Sequence, residues 1–196
     1  MTLMMERPQT IETSDRAQFE RLLHTLEKLD VPDGYRAEII RGSIILSPWS
    51  KGTYRPILRS MMRQLSGHEP QGHVIDTAPF LFAFPGQNKA IGPDLHVSDA
   101  EATDIDSVHL PGAALSLVAE LTSVATAQYD RAEKVEYYGK GGVPVYVLVD
   151  MERSTVTMYS KPGEQGYQRH TEIKFGDKVD VPAPFDCELD TADWKS

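Results

Sequence analysis

The chain has 196 residues, of which 40% are hydrophobic and 25% charged, a balance that suits one medium soluble domain with a proper core. Lys and Arg number 20 against 29 Asp and Glu, so the net charge is −9. Such a surface repels phosphate at long range and counts against tight non-specific binding of nucleic acid. The acids gather in stretches that read as exposed, Ser98 to Asp106 and Asp186 to Asp193, so a local basic strip remains compatible with the total. No apolar run approaches the roughly 20 residues a membrane helix needs. Met1 to Thr10 is polar and carries no hydrophobic signal core, and the single Cys187 has no internal partner. Both features point to a reducing, cytoplasmic setting.

Residues 1–13 read as a loose lead-in. A helix then runs from a cap at Ser14 or Asp15 to about Asp30, with Phe19, Leu22, Leu23, Leu26 and Leu29 forming its apolar stripe. Pro32-Asp33-Gly34 is a turn. Tyr35 to Ile40 and Ser43 to Leu46 read as a hairpin joined through Arg41-Gly42. A second helix spans Thr53 to Ser66 and tolerates Pro56 in its first turn. Its buried face is Tyr54, Ile57, Leu58, Met61, Met62 and Leu65. Val74-Ile75, Phe80 to Phe84 and Leu95 to Val97 are strand-like, and residues 99–112 form an acidic loop. Leu115 to Leu121 is nearly all apolar, as expected of a strand buried on both faces. Ala127 to Lys140 is helical and stops at Gly141-Gly142. Val145 to Val149 is another buried strand ending at Asp150, and Thr155 to Tyr159 pairs with Tyr167 to Ile173 through Pro162-Gly163. The strand–helix–strand unit from Leu115 to Asp150 implies a parallel pair with a right-handed crossover. With the earlier hairpin, it predicts an α/β or α+β fold, a central mixed sheet flanked by helices, in a single domain.

The chemistry concentrates in a spaced set of acids and one lysine: Asp94 after Pro93, Glu120 at the end of an apolar run, and Asp130 with Lys134 on a helix. Two carboxylates delivered by neighbouring strand ends can share a divalent ion. A lysine beside that ion can polarise a water or a scissile phosphate, and hydrolysis of a phosphodiester needs few other parts. Each residue also has a plain reading. Pro-Asp is an ordinary turn pair. Asp130 and Lys134 are an i,i+4 pair worth a few tenths of a kcal/mol. Glu120 is harder to dismiss, because an acid ending a buried strand is costly unless paired or metal-bound. Lys51, Arg55, Arg59 and Arg63 recur every four residues, a stripe that tracks a phosphate backbone or is simply a solvated face. His96 leaves the same strand face as Asp94, where a satisfied core histidine is the plainer role. The chain carries no phosphate-cradling glycine loop, nucleophile elbow or zinc signature.

In order along the chain stand Glu38-Ile39-Ile40-Arg41-Gly42-Ser43-Ile44 closed by Ser47-Pro48, then Pro93-Asp94-Leu95, then Val118-Ala119-Glu120-Leu121-Thr122-Ser123. Asp130-Arg131-Ala132-Glu133-Lys134 with Tyr138 follows, then Gly142-Val143-Pro144 and Tyr146-Val147-Leu148-Val149-Asp150. This ordered set resembles the Uma-two family of restriction-endonuclease-like proteins, within the PD-(D/E)xK nuclease superfamily. The resemblance implies a restriction-endonuclease-like core over residues 1–196 and metal-dependent endonuclease activity on DNA. It implies Mg²⁺ or Mn²⁺ held by Asp94, Glu120 and the Leu121 carbonyl, with Lys134 at the attacking water. Glu38 would be an accessory group, and the protein would act as a homodimer. The superfamily's usual acid–any–Lys element is broken by Thr122, and the resemblance implies that the lysine has moved to the helix as Lys134. An inactive relative that serves as an interaction module is the alternative.

Overall fold

A computed structural model describes residues 9–77, 79–122 and 133–195, with side chains from Asp15 onward. Helix α1 spans Gln9–Glu27, so it begins within the expected lead-in and ends before Asp30. No proline or glycine interrupts residues 9–13, and Pro8 suits the position just before a helix. Phe19 and Leu23 of α1 pack on Ile39, Leu81, Ala83 and Ala90.

The first hairpin is β1 (Tyr35–Ile40) against β2 (Ser43–Pro48). Arg41 and Gly42 have φ of 52° and 69°, the left-handed values a two-residue turn demands. Helix α2 (Arg55–Leu65) carries Pro56 in its first turn, as expected. Then come β3 (His73–Thr77), β4 (Leu81–Phe84), β5 (Lys89–Ile91) and β6 (Leu95–Asp99). The stretch read as an acidic loop instead holds a short helix α3 (Ala100–Thr103) and strand β7 (His109–Pro111). The Asp99 side chain starts α3 by accepting a hydrogen bond from Ala102 N at 3.0 Å. Strand β8 is Leu115–Thr122, helix α4 is Val135–Lys140 and strand β9 is Val145–Asp150. Gly142, at φ 79°, follows α4 as the sequence predicts. Strands β10 (Thr155–Gly163) and β11 (Gly166–Lys174) form a longer hairpin than expected, turning at Glu164-Gln165 rather than at Pro162-Gly163. A separate pair, β12 (Lys178–Val181) and β13 (Cys187–Asp190), was not expected.

The fold is mixed α/β. The expected mixed sheet is present in the order β11–β10–β9–β8–β6–β3, and β8 and β9 are its parallel pair. A second mixed sheet, β2–β1–β5–β4–β7, accompanies it. The short β5 explains why: it pairs with both β1 and β4 and so ties the first hairpin into a layer of its own. Strand β8 is apolar throughout because both its faces are covered. Leu117, Ala119 and Leu121 meet α2 through Ile57, Met61 and Leu65. Val118 on the other face joins Ile40, Phe82, Ile91 and Tyr138, which come from the second sheet and α4. Ile39 and Ile40 are likewise both buried, one toward α1 and one toward the β8 layer. Even-numbered residues of β1 and β8 therefore face one another between the two sheets.

Candidate active site

Asp94 immediately precedes β6, and Glu120 lies near the end of β8. The two strands are antiparallel neighbours with Leu95 opposite Ala119, so one further step sets Asp94 across from Glu120. Both carboxylates are buried. Asp94 Oδ2 accepts a hydrogen bond from Leu121 N at 2.8 Å, and Ser50 Oγ donates to its Oδ1 at 2.5 Å. Glu120 Oε1 accepts from Tyr138 Oη at 2.8 Å and lies 2.9 Å from Lys134 Nζ. Lys134 is itself buried, 2% exposed. It leads directly into α4. Spacing of four residues puts Lys134 and Tyr138 on one helix face, over Glu120.

Glu38 enters from β1, also buried. Its Oε1 accepts from Gly92 N at 3.0 Å and lies 3.9 Å from Lys134 Nζ. The Lys134 ammonium is thus buried beside two buried carboxylates, Glu38 and Glu120. Asp130 lies outside the described residues. Among the described residues, no group of three or more His, Cys, Asp or Glu side chains is placed to hold a metal ion.

Sequence reasoning missed Arg36. Its guanidinium lies 3.3 Å from Asp94 Oδ1 and 3.8 Å from Glu120 Oε2, with the side chain only 13% exposed. Burial alone would lower its pKa, but Glu38, Glu120 and Asp94 together raise it above the ordinary arginine value. The signal was available, because Arg36 is two residues before Glu38 and so shares its strand face. Tyr138 was quoted for its resemblance and not for its role. Burial first, then Glu120 and Glu38, hold its phenol well above the ordinary tyrosine range, so it keeps its proton and donates a hydrogen bond to Glu120.

His96 is not part of the cluster. It packs edge-on against Phe80 and Phe82, and its Nε2 has no partner. Burial pushes its pKa down to about 4, against a weaker upward pull from Asp76. Lys51, Arg55, Arg59 and Arg63 are all exposed, as a phosphate-tracking strip requires. Helix α2, however, covers the opposite face of β8 from the carboxylates, and the strip reaches the site only at Ser50, beside Lys51.

The donor set fits a hard divalent ion. Asp94 Oδ1 and Glu120 Oε2 are carboxylate oxygens on adjoining strands that already share one cation, and oxygen donors are what Mg²⁺ and Mn²⁺ prefer. The guanidinium satisfies the place imperfectly, since the buried Arg36 Nε has no hydrogen-bond partner.

Residues 17–192 match the Uma2 family, described as "Putative restriction endonuclease". The chain belongs to the Uma2 family. No curated protein matches this Uma2 chain in sequence. Its structure is similar to the crystal structure of a protein from Anabaena variabilis described as a "putative nuclease belonging to DUF820". The TM-score is 0.64 at 20% identity, covering 84% of this chain and 90% of the other, a likeness of fold. No helix among the described residues is long and apolar enough to cross a membrane.

Proposed function

We propose that this Uma2 protein is an endonuclease that hydrolyses phosphodiester bonds in DNA with a metal-activated water. The observation that carries the reading is the convergence of Asp94, Glu120 and Lys134 between the two sheets, with Lys134 Nζ 2.9 Å from Glu120. A Mg²⁺ or Mn²⁺ ion held by Asp94, Glu120 and the Leu121 carbonyl would supply an acidified water and offset charge on the phosphate. The residues of the chain do the positioning. Tyr138 donates to Glu120 Oε1 and so fixes the carboxylate that would help hold the ion. Ser50 and Leu121 N fix the Asp94 carboxylate from two sides. Lys134 holds the attacking water and stabilises the charge that develops on the phosphate, a role that pre-organised cations perform well in a buried site. Glu38 and Glu120 orient that ammonium. Lys51, Arg55, Arg59 and Arg63 are the proposed path for the DNA backbone beyond the site. The working protein is taken to be one domain, a cytoplasmic homodimer, which sedimentation of the purified chain tests.

The test of activity is cleavage of labelled single-stranded, duplex and branched DNA with Mg²⁺ or Mn²⁺, comparing wild type with Lys134→Gln. A second reading has a specific observation in its favour: Arg36 already lies against both acids, and the chain is acidic overall. Under it the protein is a catalytically inactive interaction module. Absence of cleavage on every substrate, together with no Mn²⁺ binding by calorimetry, would select that reading.

A further inference from the structure

A cavity of about 250 Å³ opens beside the carboxylate cluster. Arg36, Glu38 and Gly92 line the part that adjoins the site, and Tyr35, Trp49 and Phe80 line the rest among aliphatic residues such as Leu26, Leu81 and Val108. Those three aromatics are partly exposed. They are also all of the aromatic side chains among the exposed large hydrophobics of the described residues, so exposed rings gather at this cavity and nowhere else there. Each ring is carried by a defined piece of structure. Tyr35 opens β1 opposite Pro48, Trp49 N donates to Gly34 O at 3.0 Å, and Phe80 is held edge-on against His96. Exposed rings on fixed backbone keep a preformed apolar space open to solvent, an arrangement that invites a flat ligand.

We propose that this cavity receives one unpaired nucleobase of the DNA strand being cut, and that the protein therefore acts on single-stranded or locally unpaired DNA. The inference rests on the nuclease reading of the adjoining site. Three features select a base over an apolar peptide. The walls offer ring faces, on which every base stacks without regard to sequence. The floor offers a cation and a carboxylate, Arg36 and Glu38, which match the acceptors and donors on a base edge. That floor is also the wall of the catalytic cluster, so the phosphate attached to the inserted base comes within reach of Lys134. A base inside a duplex presents no free face and must be extruded first, which penalises paired DNA. Stacking also gives the acidic chain an attraction that its net charge does not weaken.

The test measures binding without cleavage, in EDTA, by fluorescence anisotropy of three labelled 20-mers: single-stranded DNA, the same sequence as a duplex, and a strand abasic throughout its centre. Wild type is expected to bind the normal single strand about tenfold more tightly than either other ligand. Trp49→Ala should lose about tenfold on the single strand and little on the duplex. Trp49→Phe should restore binding, and the melting temperature of each variant controls for folding. Equal binding of the normal and abasic strands, or of the strand and the duplex, would overturn the proposal. So would an unchanged affinity in a folded Trp49→Ala, or a change confined to its sedimentation, which would give the cavity to a second copy of this chain. The nuclease reading fails separately: base-dependent binding by a protein that cuts nothing with any metal retains the cavity and removes the catalysis. Cleavage of abasic and duplex DNA as fast as single strands does the reverse.

Discussion

Replacing Arg36 by methionine tests whether the guanidinium stands in an ion's place. Methionine keeps much of the stem and removes the charge. At 3.3 and 3.8 Å the two carboxylate contacts are worth about 5 and about 4 kcal/mol of gross attraction at an effective dielectric constant near 20, before desolvation is subtracted. Breaking a buried ion pair by deleting one partner costs about 3–5 kcal/mol net, because the other charge is left uncompensated. Without metal, Arg36→Met should therefore melt roughly 6–20 °C below wild type, at about 2–4 °C per kcal/mol for a domain of this size. A divalent ion should reverse much of that loss, since a ligand at one hundred times its Kd adds about 2.7 kcal/mol to the native state. Wild type should gain less from the same ion, because the ion must first displace a resident cation. Calorimetry should then show Mn²⁺ binding about tenfold or more tighter in Arg36→Met, the equivalent of about 1.4 kcal/mol of removed competition. Thermal melts with and without Mn²⁺, read beside calorimetry, decide the matter. A destabilised variant that metal does not rescue would show that Asp94 and Glu120 hold no ion. An equal rise in melting temperature for both proteins would put the ion elsewhere.

Lys134→Gln should slow cleavage by about a hundredfold or more while Mn²⁺ binding persists, because one pre-organised charge is lost at the transition state; unchanged cleavage would remove Lys134 from the mechanism. Tyr138→Phe should cost about 1.5–3 kcal/mol in chemical denaturation, the value of a hydrogen bond to a charged group, and a neutral result would mean that Glu120 does not depend on the phenol. His96 makes stability pH-dependent: its folded pKa is depressed to about 4, so the unfolded chain binds the extra proton first. Stability is then full above the ordinary value near 6.5 and falls by up to about 3 kcal/mol as pH drops toward 4, a loss that should be absent from urea titrations of His96→Leu. Replacing Arg55, Arg59 and Arg63 together by glutamine should reduce the salt dependence of DNA binding by roughly one counterion per contact removed, and an unchanged slope would make the strip a solvated face.

The carboxylate pair was legible because it obeys strand logic. A proline-led strand start and an acid closing an apolar strand must lie on neighbouring strands if those strands pair, and β6 and β8 do pair. Lys134 was legible through resemblance alone, since helical spacing gave it only Asp130 as a partner. Arg36 was missed although its position relative to Glu38 was known, because Ile39 and Ile40 hid the alternation of β1. Two adjacent buried isoleucines mean a strand covered on both faces, here by α1 and by the β8 layer, and that cover is tertiary information. Strand β5 escaped for a similar reason. Three residues carry no period, and Lys89–Ile91 becomes a strand only because β1 and β4 flank it. The strands of the β12–β13 pair are also short and are held by what they pack against: Val179, Val181 and Leu189 join the same core as α2.

The charge of the whole chain misdirects because the chemistry depends on the charge between the sheets. Counted at formal charge, Glu38, Asp94 and Glu120 oppose Arg36 and Lys134, which leaves the described cluster one negative charge in excess. A phosphodiester entering beside it would bring one more. One divalent ion balances that sum, whereas a monovalent ion leaves it short and a second divalent ion overshoots it. On the proposed reading the cluster would suit a single hard ion that arrives with substrate, with Arg36 offsetting Asp94 and Glu120 before it does. Acids such as Asp186, Glu188 and Asp193 are exposed, where salt screens their field over a Debye length of about 8 Å at physiological ionic strength. An acidic protein can therefore carry a phosphate-binding centre, provided its hold on the strand comes from stacking and from a local strip rather than from net charge.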